Sequence, residues 1–134
     1  MSNDQVLVVG LGCQRGCPAS VLRALLDEAL LNHGIALEAV GALASIDLKC
    51  DEPGLLALAG QLALPLTFFN AGQLSGYRER LSHRSQIAFE RTGCYGVAES
   101  AALALAEQLG QTAATLRIPR QKCAQATLAL AVAS

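Results

Sequence analysis

The chain has 134 residues, of which 52% are hydrophobic and 16% charged, and its formal net charge is -1. That length and apolar content supply one packed core and too little for two ordinary domains, so a single domain over residues 1–134 is expected. Near neutrality excludes a general electrostatic attraction to nucleic acid or to an anionic membrane surface, so any polyanion binding has to be local.

The opening MSNDQVLVVGLG carries no basic leader, and its apolar run meets a glycine turn almost at once. It reads as neither a secretory signal nor a transmembrane segment, and a cytoplasmic location is expected. QVLVVGLG is a β-branched strand pattern, and PASVLRALLDEALLNHG repeats apolar residues at helical spacing up to Gly34. Pro18 suits the first helical turn, where its missing N–H costs nothing, and His33 suits the helix end. A second strand is predicted around Val40 to Ala44, a helix from near Glu52 to Gly54 onward, and a third strand at LTFF after Pro65. The stretch NAGQLSGYRERLSHRSQIAFERTGCYG is the least regular; it predicts a short helix from Leu74 to Arg80 and a loop that forms a binding rim. VAESAALALAEQLG predicts an alanine-rich helix ending at Gly110. Two strands, ATLRIP and ATLALAVA, follow, joined by PRQKCAQ, and the second lacks polar relief and should be buried. Strands separated by helices in this order predict a single-domain three-layer α/β/α sandwich, its sheet mainly parallel and mixed where the last two strands join.

The first loop, GLGCQRG, offers Gly10, Gly12 and Gly16 as a backbone cradle for an anion at a helix start, with Arg15 as a bidentate partner for a carboxylate or phosphate. A tight turn without ligand explains the same glycines. Neither GxGxxG in its full context nor GxxxxGK[ST] is present, so no nucleotide is assigned. The five cysteines are odd in number and scattered, which does not resemble a secreted disulfide scaffold. Cys13 and Cys17 have three residues between them rather than two, and no second pair stands near, so no metal site is assigned. Trp is absent and aromatics are few, which argues against a base-stacking surface.

SIDLKCDEPG gathers Ser45, Asp47, Lys49, Asp51 and Glu52 beyond the second strand. Asp47 or Glu52 could activate a water, or cap the following helix; Lys49 could meet a substrate carboxylate or simply be solvated. Arg84, with Ser82 and Ser85, could receive an acidic group; His83 among them could be catalytic or simply an exposed loop histidine. Thr92, Gly93 and Glu99 surround another helix start, where Glu99 could cap. Arg120 and Lys122 could complete an anion site, or belong to a solvated connection.

Taken together and in order, GLGCQRG, ASIDLKCDEPGLLALA, TGCYGVAESAALALA and PRQKCAQATLALA resemble the family of cobalamin biosynthesis proteins formed by CobE and the C-terminal domain of CbiG, from Val6 to Ala133. The resemblance implies a compact α/β domain of the corrin pathway. Full-length proteins of the CbiG type open the ring-A lactone of cobalt-precorrin-5A and release acetaldehyde, and this chain resembles only their C-terminal part. The family's first loop falls on Gly10, Gly12, Cys13, Arg15 and Gly16, and its ASIDLK segment on residues that include Ser45, Asp47 and Lys49. Its TG and VAE segments fall on Thr92, Gly93 and Glu99, and its late basic segment on Arg120 and Lys122. Arg84 stands where the family often has proline.

The resemblance implies a precorrin or related corrin intermediate as the ligand, bound by a pathway auxiliary. Arg15, Lys49, Arg84, Arg120 and Lys122 would then neutralise its carboxylates. Asp47, Glu52 and His83 are the candidate acid-base residues if the protein is instead a hydrolase of a precorrin lactone. A structural partner of a corrin-pathway methyltransferase is a third reading. No protein-bound metal or cofactor is expected; cobalt, where present, would belong to the corrin substrate.

Overall fold

The computed structural model describes residues 5–82, 84–92 and 96–134, with Arg91 and Thr92 described by backbone alone. Its first strand, β1 (Val6–Cys13), is the β-branched run. Helix α1 (Ala19–Asn32) starts after Pro18, which holds an extended conformation at the N-cap, and stops at His33. There the His33 Nδ1 lies 2.9 Å from the Ala29 carbonyl oxygen, a contact made by the Nδ1–H tautomer, and Gly34 takes a positive φ of 66°. The second strand, β2 (Ala42–Ile46), is buried throughout and begins two residues later than the sequence pattern indicates. Val40 is occupied in closing the 3-10 turn Leu37–Ala39, its N–H donating to the Leu37 carbonyl at 3.0 Å.

Helix α2 (Pro53–Leu62) has proline at its start, as predicted, and β3 (Leu66–Phe69) is the LTFF strand. The single helix expected from Leu74 to Arg80 is instead two pieces. Asn70 and Gln73 form a capping box that starts α3 (Ala71–Ser75) earlier, and a separate 3-10 turn spans Arg78–Arg80. The stretch read as loop contains a further helix, α4 (Gln86–Thr92), whose first turn is held by the Ser85 hydroxyl accepting from the Ala88 N–H at 3.1 Å. Helix α5 (Val97–Gly110) ends as expected, but β4 (Ala114–Lys122) runs through most of the anticipated connection to β5 (Ala126–Ala133).

The sheet order is β3-β2-β1-β5-β4. β1, β2 and β3 are parallel, while β5 is antiparallel to both β1 and β4, so the sheet is mixed. Alternation along β1 sends Leu7, Val9 and Leu11 into a core with α1 and α2, and Val8 into a second core with α5. The three layers of the predicted sandwich are thus present.

Gly10 faces α5, and a Cβ there would run into the Ala98 carbonyl and lie 2.7 Å from the Ala102 nitrogen. Its role in the fold is to let α5 approach the sheet. Connections leave β1 and β2 toward one face and return through α5 on the other, which opens a crevice beyond the carboxyl ends of β1 and β2. In open α/β sheets this is the position where ligands bind.

Candidate functional site

A cleft of about 730 Å³ occupies that crevice. Gly12 and Cys13 of β1, Ile46 of β2, and Ala126 and Thr127 of β5 form its floor. Gly12 and Thr127 are paired across the β1–β5 ladder, and a Cβ on Gly12 would lie 2.8 Å from the Thr127 hydroxyl oxygen. The first turn of α5, from Val97 to Glu99, forms one wall and turns the positive end of the helix dipole toward the cleft. Arg15, Lys49 and Arg120 line it from three different connections: the β1–α1 loop, the 3-10 turn after β2, and the end of β4. Leu48 and Ile87, also lining the cleft, are 53% and 63% exposed and give it apolar lips.

The charge balance is local, as near neutrality requires. Among the described residues Arg15, Lys49 and Arg120 form no ion pair; the ion pairs are Arg23–Asp27, Arg80–Glu107 and Arg84–Glu79. Glu99 is the acid that lines the cleft, and it is 1% exposed. Its carboxylate accepts from the N–H groups of Ser82 and Arg120, each at 2.8 Å, and from the Ser82 hydroxyl. From the first turn of α5 it thus reaches the Ser82 segment and β4.

Three amides of the supposed anion cradle have protein acceptors. Gln14 N–H donates to the Gln125 carbonyl at 2.8 Å, Gly16 N–H to the Glu52 carboxylate at 2.8 Å, and Cys17 N–H to the Gln14 carbonyl at 3.1 Å. Gly16 itself takes a positive φ of 84°, which the turn requires. Glu52 sits at the N-cap position of α2, yet its side chain makes no cap bond and ties the two loops instead.

Other candidates lie outside the cleft. Ser45 is buried, its hydroxyl donating to the Leu11 carbonyl at 2.7 Å. Asp47 is exposed at the start of the 3-10 turn. Arg84 bonds the Arg78 carbonyl and pairs with Glu79, and Lys122 is exposed at the end of β4. Gly10 is beneath α5, as described above. His83 and Gly93, and the side chain of Thr92, lie outside the described residues. Asp47 and Glu52 accordingly do not meet in the cleft.

Burial raises the Cys13 thiol to about 11, Cys17 and Glu52 adding to the rise and Lys49 opposing it, so the thiol facing the cleft is neutral at physiological pH. Cys17 belongs to the core beneath, at 1% exposure. Among the described residues no group of three or more His, Cys, Asp or Glu could hold a metal ion. No helix among them is long and apolar enough to cross a membrane.

Sequence reasoning missed the apolar lips and the turn from Cys123 to Gln125 that completes the cleft. A signal for Leu48 was present, since it stands between Asp47 and Lys49 with no helical or strand stripe to join. Ile87 offered the same signal within a polar stretch.

Residues 7–131 match the family model described as cobalamin synthesis G C-terminus. The chain is 42% identical over 125 residues to Protein CobE of a Sinorhizobium species, covering 93% of this chain and 79% of that one. It is 30% identical over 128 residues to cobalt-precorrin-5A hydrolase of Priestia megaterium, covering 96% of this chain but only 32% of the hydrolase. Among solved structures, that of CobE, a protein from the cobalamin (vitamin B12) biosynthetic pathway, superposes with a TM-score of 0.93 at 47% identity, covering 97% of this chain and 92% of that one.

Proposed function

The chain belongs to the cobalamin synthesis G C-terminal family of the cobalamin biosynthetic pathway, and from that premise we propose that its cleft binds a precorrin intermediate as a pathway auxiliary. The observation that carries this reading is the set of three cations, Arg15, Lys49 and Arg120, which form no ion pair among the described residues, around an opening with the apolar lips Leu48 and Ile87. A precorrin is a broad tetrapyrrole with carboxylates around its rim. Its ring would lie between the lips while its rim carboxylates meet the cations, which come from three separate connections and so approach from different sides. A charge-assisted bond of this kind is worth about 1.5–3 kcal/mol. The cleft's volume falls within the range of small-molecule sites, and its open lips leave part of a ring accessible for transfer to the next protein.

Hydrolysis of cobalt-precorrin-5A is the activity named for relatives of which this chain spans about a third. Asp47 and Glu52 stand outside the cleft, which supports binding without conversion, while His83, the third acid-base candidate, lies outside the described residues.

The test is titration of the purified protein with precorrin intermediates, following tetrapyrrole absorbance together with the mass of the recovered pigment. A saturable spectral change with unchanged mass is expected. A mass change would make the protein an enzyme.

A further inference from the structure

The carboxylate of Glu99 is buried, and burial of a charge is costly unless donors surround it. Among its donors are groups far apart in sequence: Ser82, between the 3-10 turn and α4, and Arg120, near the end of β4. β4 is irregular there. Ile118 pairs with Leu130 and Gln121 with Leu128, so Pro119 and Arg120 together oppose one residue of β5 and form a bulge. A bulge takes an N–H out of the ladder and re-aims the side chain beside it. The N–H that the Arg120 bulge turns aside is the one that Glu99 accepts, at 2.8 Å.

We propose that Glu99 is a positioning residue of the cleft: by holding the bulged main chain of Arg120 and the main chain of Ser82, it sets Arg120 and the Ser85–Ile87 lip in place before ligand arrives. The proposal rests on the reading of the cleft as a site for a carboxylate-rich ligand and names how one of its cations is held. A bare carboxylate facing the opening would repel such a ligand. With its oxygens committed to two amides and a hydroxyl, Glu99 acts through Arg120 instead.

Glu99→Gln discriminates. The amide keeps the size of the side chain but replaces one acceptor oxygen by a donor, so either the Ser82 or the Arg120 N–H loses its acceptor. Amide exchange by NMR on the ligand-free protein should show protection at Ser82 or Arg120 falling at least tenfold, while amides in the middle of α5 keep theirs. Binding of uroporphyrin, a tetrapyrrole with carboxylates around its rim, should weaken about tenfold in E99Q. It should weaken little further when E99Q is added to Arg120→Ala, because both changes remove the same contact. Unchanged exchange at both amides overturns the proposal, as does an equal loss of affinity with and without Arg120. If E99Q does not fold, Glu99→Asp, one methylene shorter with its charge kept, is read in the same way. If the wild-type protein takes up neither uroporphyrin nor a precorrin, the reading of the cleft falls, and the amide exchange still decides whether Glu99 holds Arg120.

Discussion

The Gly16 N–H donates to the Glu52 carboxylate at 2.8 Å, joining the β1–α1 loop to the start of α2 across 36 residues of sequence. Glu52 is 3% exposed while Gly16 lies at the surface, so the bond is part-buried, and it ties down the loop that carries Arg15 toward the cleft. Glu52→Ala leaves the Gly16 amide without that acceptor and should cost about 2 kcal/mol of stability, read as a lower urea midpoint. An unchanged midpoint would show that the two loops are held by other means.

Gly10 sets the distance between β1 and α5. A methyl group at this position meets main-chain atoms of Ala98 and Ala102, which cannot swing aside as a side chain can. Gly10→Ala is therefore expected to destabilise by about 3 kcal/mol or to prevent folding. The same substitution at Gly60, where a Cβ meets nothing within 4 Å, should leave stability equal or slightly raised by helix propensity. Equal stability of the two variants in urea would contradict close packing as the reason for Gly10.

Much of this frame was readable from residues alone. VLVVG followed by PASVLRALL reports a strand, a turn and an amphipathic helix, because burial on one face imposes its period on the sequence. Arg15, Lys49 and Arg120 could be named as candidates because charges cluster at the ends of apolar strands. What stayed hidden depends on partners distant in sequence. Nothing near Glu99 reveals that its carboxylate goes to Ser82 and Arg120, and nothing near Glu52 reveals Gly16. The bulge at Pro119 and Arg120 is a property of pairing with β5 rather than of the sequence PRQK, which is why β4 was cut short. α4 was missed because seven residues are too few to show a period, although Ser85 marks its start.

Glu107 links acid stability to Arg80. The Arg80 hydrogen bond, opposed by burial and aided by the Ala114 N–H, Arg80's charge and Tyr77, holds the Glu107 carboxyl below its usual range. A carboxylate depressed on folding contributes stability that is present above its unfolded pKa and is lost as pH falls through the folded value. Wild-type stability should therefore fall on acidification through the lower carboxylate range, and Arg80→Ala should flatten that part of the curve. Denaturation midpoints measured from neutral pH to pH 3 test this; parallel curves for the two proteins would remove Arg80 from the account.

Cys13 supplies a chemical check on the cleft floor. With its thiol raised to about 11, chiefly by burial, it carries little thiolate at pH 8 and should react with iodoacetamide much more slowly than the exposed Cys50 and Cys123. Peptide mass spectrometry after timed alkylation resolves the sites. Alkylation of Cys13 as fast as Cys50 would mean that it is neither half-buried nor neutral. Because Cys13 lines the cleft, bound tetrapyrrole should slow its modification further.

If Arg15, Lys49 and Arg120 together receive the carboxylates of a precorrin, the dissociation constant for precorrin intermediates has to change in each of the three single alanine variants relative to wild type. Saturable binding by the wild type is expected, with about tenfold weakening in each variant and further weakening as salt is raised. Absence of saturable binding to any corrin intermediate, or wild-type affinity in all three variants, would contradict it.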